Sequence, residues 1–408
     1  MSLIKPLRAL RPGPGLAEKV SCPPYDVVYD AEARRLIDDS HDSFIRVTRP
    51  EADFPPDAEP TREQIFLRAR DNLAELRRLG VLVEDEEPCY YIYRLEFGGR
   101  SQTGIVACCS LDEYRNHRIK PHENTRPDKV NDRTAHLLTV RAQTGLIFLA
   151  FRGTELIGKM LTECAAGEPL YDFTCDGGVR HTMWRAADHE RWTAAFAEVD
   201  SLYVADGHHR IESAERARET LRAANAAHTG DEEYNFVMAG IFPAEGLRIL
   251  AYNRVVSDLN GLSTNEFLEK VGESYVVQPN GDPEPPGPGC ISMYLDGTWY
   301  SLRFNVAYFR EPDPAERLDV ERLQQFILGP ILGIGDPRTD QRLGFVGGRR
   351  GVSELESLVD SGNARVAFSM YPTSMDDLIT ISDRGEIMPP KSTWFEPKLR
   401  DGLIVHSI

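Results

Sequence analysis

The sequence predicts a mixed α/β fold, and three observations carry that reading. Arg62-Glu-Gln-Ile-Phe-Leu-Arg-Ala-Arg-Asp-Asn-Leu-Ala-Glu-Leu76 repeats apolar residues every three to four positions, the period of an amphipathic helix. Cys89 to Phe97 and Gly104 to Leu111 alternate apolar and polar residues around Gly98-Gly99, as paired strands joined by a glycine turn do. Leu202-Tyr-Val-Ala205 runs into Asp206-Gly207, after which Ile211, Ala214, Ala217 and Leu221 recur at helical spacing.

The remaining elements follow along the chain. Residues 31–40 read as a helix ahead of the one at 61–80. Residues 116–134 are polar and densely charged, and 137–144 suit a short helix. Gly145-Leu-Ile-Phe-Leu-Ala-Phe151 is apolar throughout, as a buried strand requires. Helices are expected at 155–165 and 186–198, a strand at 202–205 and a helix at 208–227. A strand pair is expected at 235–242 and 247–256. Residues 278–289 hold five prolines and three glycines and read as an exposed loop. Beyond it come a hairpin at 290–295 and 298–304, helices at 319–327 and 353–360, and strands at 364–370 and 377–382. The expected organisation is therefore 1–277, a proline- and glycine-rich loop at 278–289, and an α+β region at 290–408.

Composition narrows the function. The 408 residues are 41% hydrophobic, which suits a soluble protein of more than one domain. No apolar run approaches the roughly 18 residues of a membrane span, and Met1-Ser-Leu-Ile-Lys-Pro6 lacks a signal-peptide core. Seven cysteines without a C-x-x-C pair fit free thiols in a cytoplasmic protein. A formal charge of −17 disfavours non-specific nucleic-acid binding, although Arg342 to Arg350 forms a local basic run. A small anionic ligand in one basic pocket remains compatible with the acidic total.

Four segments concentrate chemistry. The first is Asp206-Gly-His-His-Arg210, where a glycine turn opens a helix. Unpaired N–H groups and the positive dipole end there attract an anion. Gly207 permits close backbone approach, and His208, His209 and Arg210 add donors or charge. The bland alternative is a surface turn capped by Asp206. Metal binding by both histidines is disfavoured because adjacent helical side chains diverge.

The second segment is Ile119-Lys-Pro-His-Glu-Asn-Thr-Arg-Pro-Asp-Lys129. Here His122 and Glu123 offer a base or metal ligand, and Lys120, Arg126 and Lys129 offer phosphate donors. Third is Ser21-Cys-Pro-Pro-Tyr-Asp-Val-Val28, which sets Tyr25 and Asp26 behind a rigid Pro-Pro pair. The fourth, Met388-Pro-Pro-Lys-Ser-Thr-Trp-Phe-Glu-Pro-Lys398, fixes Lys391, Ser392 and Thr393 on a proline-bound loop. A solvated charged loop, a plain strand start and a structural clasp are the respective alternatives. Walker, Rossmann, H-E-x-x-H and G-x-S-x-G signatures are absent.

Together these segments resemble a bacterial and archaeal family known as domain of unknown function 1015, over nearly the whole chain. The landmarks are Pro23-Pro-Tyr-Asp-Val27, His122-Glu-Asn-Thr125, Ala205-Asp-Gly-His-His-Arg210, Leu318-Asp-Val320, and Met388-Pro-Pro-Lys-Ser-Thr393 before Pro397-Lys-Leu399. The Gly207-His-His-Arg210 turn is also similar to the phosphate-binding turn of the ParB/sulfiredoxin superfamily. That superfamily binds ATP, ADP or CTP and includes free-serine kinases, sulfiredoxins and chromosome-partition switches.

The resemblance implies a ParB/sulfiredoxin-like nucleotide-binding core with large insertions, the C-terminal α+β region packing on it. It implies a phosphotransferase that uses ATP or ADP with Mg²⁺ on a small hydroxy-amino acid such as serine. Asp206, Gly207, His208, His209 and Arg210 would hold the phosphates, with Asp206 also a possible metal contact. Glu123 or Asp26 would act as the acceptor base, and His208 as an alternative phosphoryl carrier. Tyr25, His122, Thr125, Arg126, Lys391, Ser392 and Thr393 are further candidates. Sulfiredoxins carry a nucleophilic cysteine where this chain has His208, which argues against sulfinic-acid repair. Two alternatives stay open: phosphoryl transfer from, or hydrolysis of, a metabolite such as phosphoserine, and a nucleotide-gated regulator that binds DNA or protein. The identity of any metal and the oligomeric state stay open as well.

Overall fold

The computed structural model describes residues 2–305 and 314–408, apart from the side chain of Arg349. The chain is mixed α/β and forms two compact units. The first comprises Met1–Pro121, Thr125–Leu247 and Pro397–Ile408; the second comprises His122–Asn124 and Arg248–Glu396.

A nine-stranded mixed sheet organises the first unit. Its order is Ile119–Lys120, Leu202–Asp206, Ile147–Phe151, Phe236–Pro243, Arg100–Ser110, Tyr90–Phe97, Arg180–Ala186 and Tyr171–Thr174, with Ile4–Lys5 also paired to Arg100–Ser110. Leu202–Asp206 runs parallel to Ile119–Lys120 and antiparallel to Ile147–Phe151. Phe236–Pro243 is parallel to Ile147–Phe151 and antiparallel to Arg100–Ser110. Every residue of Ile147–Phe151 is buried, which is why that strand reads as an unbroken apolar run. Ile211, Ala214 and Ala217 of the helix His208–Ala224 join the sheet's core cluster, as their spacing predicts. A second core gathers Val20, Cys22, Phe44, Ala69, Leu73 and Val405.

A small sheet in the same unit ties the chain ends together. Ala9–Pro12 pairs with Leu82–Glu84 and with Val405–Ser407, and the latter pairs with Ala142–Gln143. An isolated bridge joins Cys22 to Asp401, with N–H···O distances of 3.0 and 2.9 Å.

In the second unit six antiparallel strands lie in the order Tyr275–Pro279, Thr298–Phe304, Cys290–Leu295, Val366–Met370, Tyr252–Val256 and Leu343–Gly347. The helix Gly351–Asp360 packs on this sheet through Leu355 and Val359. Residues 280–289 join two of these strands within the unit. The basic run from Arg342 includes Arg349, whose side chain lies outside the described residues. Arg342 itself is neutralised by Asp340 at 2.8 Å and Asp258 at 3.5 Å.

Several elements differ from their sequence reading. The polar stretch after 116 contains the helix Pro127–Val140, which starts ten residues earlier than expected and ends where Arg141 turns left-handed at φ 59°. Its first turns are charged because they face solvent, which hid the helical period. The expected strand at 377–382 is the helix Met375–Asp383. There a capping box between Ser374 and Asp377 outweighs the short alternation. Residues 235–242 and 247–256 do not pair with each other. A 3₁₀ turn at Ala244–Gly246 separates them, and Tyr252–Val256 joins the second unit's sheet instead. Strands Tyr171–Thr174 and Arg180–Ala186 went unread because their alternation is broken by charged residues.

Candidate functional site

Strand Leu202–Asp206 delivers the glycine turn. Its pairing with Ile147–Phe151 shifts register between Val204 and Asp206, a bulge of the kind that re-aims a side chain at a strand end. Gly207 then takes φ 97°, a conformation closed to most L-residues, and caps the helix His208–Ala224 with no side-chain hydrogen bond. A Cβ there would also sit 3.4 Å from the Ile147 Cα. Asp206 does not cap the helix. It pairs with Lys398 at 3.3 Å and lies 3.9 Å from the Arg210 guanidinium. Burial pushes its carboxyl up, but Lys398, Arg210 and His208 outweigh burial and hold it well below the usual carboxylate range.

Arg210 is the centre of the cluster, with a side chain only 13% exposed. Its Nη1 donates to the Leu146 carbonyl. Nε and Nη2 are buried and make no hydrogen bond. The carboxylates of Asp26 and Asp206 lie at 3.6 and 3.9 Å, within ion-pair range but too far to accept those protons. Leaving buried donors unused costs about 1–3 kcal/mol each, a cost that structural arginines avoid. Burial disfavours the charged guanidinium, yet Asp26, Asp401 and Asp206 together raise its pKa.

The neighbourhood of Arg210 is built by distant segments. Tyr25, in the 3₁₀ turn Tyr25–Val27, presents its ring to Arg210 at 5.9 Å and to Arg133 at 4.4 Å. Burial raises its phenol pKa. The adjacent Asp26 is 43% exposed and faces Arg210. Asp401 is 2% exposed, its backbone fixed by the bridge to Cys22. Burial pushes the Asp401 carboxyl up to about 7, Asp26 adds to the rise, and Arg210 opposes it. Gly145 is required beside it, since a Cβ at 145 would collide with the Asp401 carboxylate. A cavity of about 50 Å³ is lined by Tyr25, Arg133, Ser213, Gly145, Arg210 and Asp401 among others. It has room for a small polar group.

His208 is buried and His209 half-buried. The His209 Nε2 accepts the Arg126 backbone N–H at 3.0 Å, so that nitrogen serves as a lone pair rather than as a donor. Arg126 is exposed and pairs with Asp128 at 2.9 Å, and Thr125 is half-buried in the same unit. His122, Glu123, Lys391, Ser392 and Thr393 belong to the second unit. There the His122 Nε2 meets the Thr393 hydroxyl at 3.1 Å, and its carbonyl accepts the Met388 N–H at 2.8 Å. Ser392 Oγ donates to the Pro389 carbonyl at 2.6 Å, which folds the loop on itself. Lys391 sits at φ 59° with its ammonium 5.8 Å from the Tyr252 ring.

Arg133, Asp401 and Lys398 are the residues that sequence reasoning missed. Lys398 lay inside a family landmark, Pro397-Lys-Leu399, which could have drawn attention to it. Arg133 and Asp401 carried no local signal. A separate trio, the buried Cys108 and His406 with the exposed Glu233, brings ligand-type atoms within 4.8 Å of one another. The imidazole spends one nitrogen on each neighbour, Nδ1 toward the Cys108 sulfur at 3.6 Å and Nε2 toward Glu233 at 2.8 Å. Those nitrogens lie on opposite sides of the ring, an arrangement that suits a hydrogen-bonded relay rather than one shared ion.

Residues 4–321 match the family described as "Protein of unknown function (DUF1015)", and the chain belongs to that family. No curated protein matches the sequence. Among solved structures, similarity extends to a conserved hypothetical protein from Pyrococcus furiosus. The identity is 13% and the TM-score 0.37, over 73% of this chain and 94% of that one. A free serine kinase variant in complex with AMP shows 13% identity and a TM-score of 0.37, over 71% and 87% of the two chains. C-terminally truncated SbnI from Staphylococcus aureus shows 12% identity and a TM-score of 0.39, over 74% and 87%. Among the described residues no helix is long and apolar enough to cross a membrane.

Proposed function

We propose that this member of the family is a nucleotide-dependent phosphotransferase that acts on a small hydroxy-amino acid such as free serine. The observation that carries the reading is Arg210, a buried cation with two unused N–H donors on the first turn of a glycine-opened helix. Helix N-termini and guanidinium forks both recognise phosphate. Here they coincide at one residue. A kinship of this turn with that of the ParB/sulfiredoxin superfamily forms part of the proposal.

Phosphoryl transfer needs little covalent help from a protein; positioning and charge do most of the work. Arg210 would bind a phosphate oxygen through Nε and Nη2, and the backbone at Gly207 would let the phosphate approach. Mg²⁺ bound with the nucleotide would neutralise charge on the phosphates. The half-exposed Asp26 fits such an ion better than Asp206, whose charge Lys398 and Arg210 already offset. Asp26 would likewise orient an acceptor hydroxyl. Asp401, with a pKa near working pH, would set how much positive charge Arg210 has left for the phosphate.

Incubation with ATP or ADP and free serine, followed by detection of phosphoserine, tests the reading. Turnover that disappears in Arg210→Met supports it. Absence of turnover together with absence of nucleotide-dependent stabilisation overturns it.

A further inference from the structure

The second unit contains a cavity of about 440 Å³, a size typical of small-molecule sites. Arg254 lines it from strand Tyr252–Val256 and is 3% exposed. Its guanidinium donates to the carbonyls of Tyr252, Pro390 and Lys391, the last at 3.0 Å, and lies 5.6 Å from the Phe345 ring. Among the described residues no carboxylate lies within ion-pair distance of it. Burial without a counter-charge pulls its pKa down to about 10. A buried, uncompensated arginine is costly, and a bound anion would offset that cost.

Gln324 supplies an independent observation. It opens the five-residue π-helix Gln324–Leu328, a distortion often found at functional sites. Its Nε2 donates to the Ile334 carbonyl at 2.7 Å, while Oε1 is buried with nothing donating to it. The cavity therefore presents one buried cation and one orphaned acceptor, and its ligand must carry both an anion and a donor.

The rest of the lining selects among such ligands. Asp336 and Arg338 neutralise each other at 3.0 Å, and Glu321 lines the same cavity as Arg254. A carboxylate beside the cation disfavours a polyphosphate and favours a ligand that also carries an ammonium. Val320, Leu328, Leu343, Phe345 and Met388 form an apolar wall. We infer that this cavity binds a free zwitterionic α-amino acid with an apolar side chain, its carboxylate on Arg254 and its ammonium on Gln324 Oε1 and Glu321. This site is independent of the Arg210 turn, and either reading can fail alone.

The full chain is titrated by thermal shift and calorimetry with the free L-amino acids, with the carboxamide of each one that binds, and with inorganic phosphate. Leucine, methionine or phenylalanine is expected to bind, its carboxamide at least tenfold more weakly, and phosphate not at all. Both Arg254→Lys and Gln324→Met should weaken the amino acid at least tenfold; the second keeps the buried arginine and guards against misfolding. Absence of binding by every amino acid overturns the inference. So does binding of the carboxamide as tightly as the acid, or full affinity in both variants.

Discussion

Replacing Arg210 by Met removes the two unused donors while keeping an apolar stem in their place. A hydrogen bond to a charged group contributes about 1.5–3 kcal/mol, so two bonds at the lower figure contribute about 3 kcal/mol to phosphate binding. That loss raises Kd by roughly 100-fold. With ADP present at roughly 100 times the wild-type Kd, binding stabilises the wild type by about 2.7 kcal/mol. The same ADP concentration would only equal the variant's Kd and stabilise it by about 0.4 kcal/mol. At roughly 2 °C per kcal/mol for a unit this large, the ADP-induced rise in Tm should shrink from about 5 °C to about 1 °C. Thermal shift with and without ADP reads this difference, and calorimetry gives Kd directly. A variant that melts cooperatively yet keeps the wild-type ADP shift would refute the assignment of phosphate binding to Arg210.

Three further outcomes follow from the same geometry. Gly207→Ala forces an L-residue to φ 97° and should destabilise the protein by about 1–2 kcal/mol, read as a lower urea midpoint. An unchanged midpoint would mean that the turn relaxes freely. Asp401 has a pKa raised to about 7 by burial and Asp26 against the opposing charge of Arg210, so it should ionise as pH rises through that value and compete with phosphate for Arg210. ADP affinity of the wild type should therefore fall across pH 6–8 relative to Asp401→Asn, and parallel profiles would contradict the coupling. Burial would lower the His406 pKa, but Cys108 and Glu233 outweigh it and raise it to about 9. The stability it contributes is complete below the ordinary histidine pKa of about 6.5 and is lost as pH rises through about 9. His406→Gln should flatten that part of the stability profile in chemical denaturation, and an unaltered slope would place the titration elsewhere.

What the sequence revealed and what it concealed divide along one physical line. A strand, a glycine turn and a helix are contiguous, so the spacing of Ile211, Ala214 and Ala217 and the placement of Gly207 were readable locally, and the structure bears them out. Glu123 was readable as a charged residue on a polar loop, but spacing could not show that it lines a cavity with Arg254 and Gln324. Asp401 was invisible for a stronger reason. Its raised pKa comes from burial and from neighbours on other segments, and long-range contacts such as the backbone bridge to Cys22 bring it to Tyr25 and Arg210. The same holds for the helix at Pro127–Val140, whose charged first turns masked the buried Val130, His136 and Leu137 that pack it. The legible half of the candidate site is thus the half that shapes it, and the hidden half is the half that tunes its charge. That asymmetry bears on experiment: the turn alone would make an anion site in many proteins, whereas on the proposed reading Arg210 with two unused donors, an ionisable Asp401 and a half-exposed Asp26 would make one whose grip on phosphate depends on pH near neutrality.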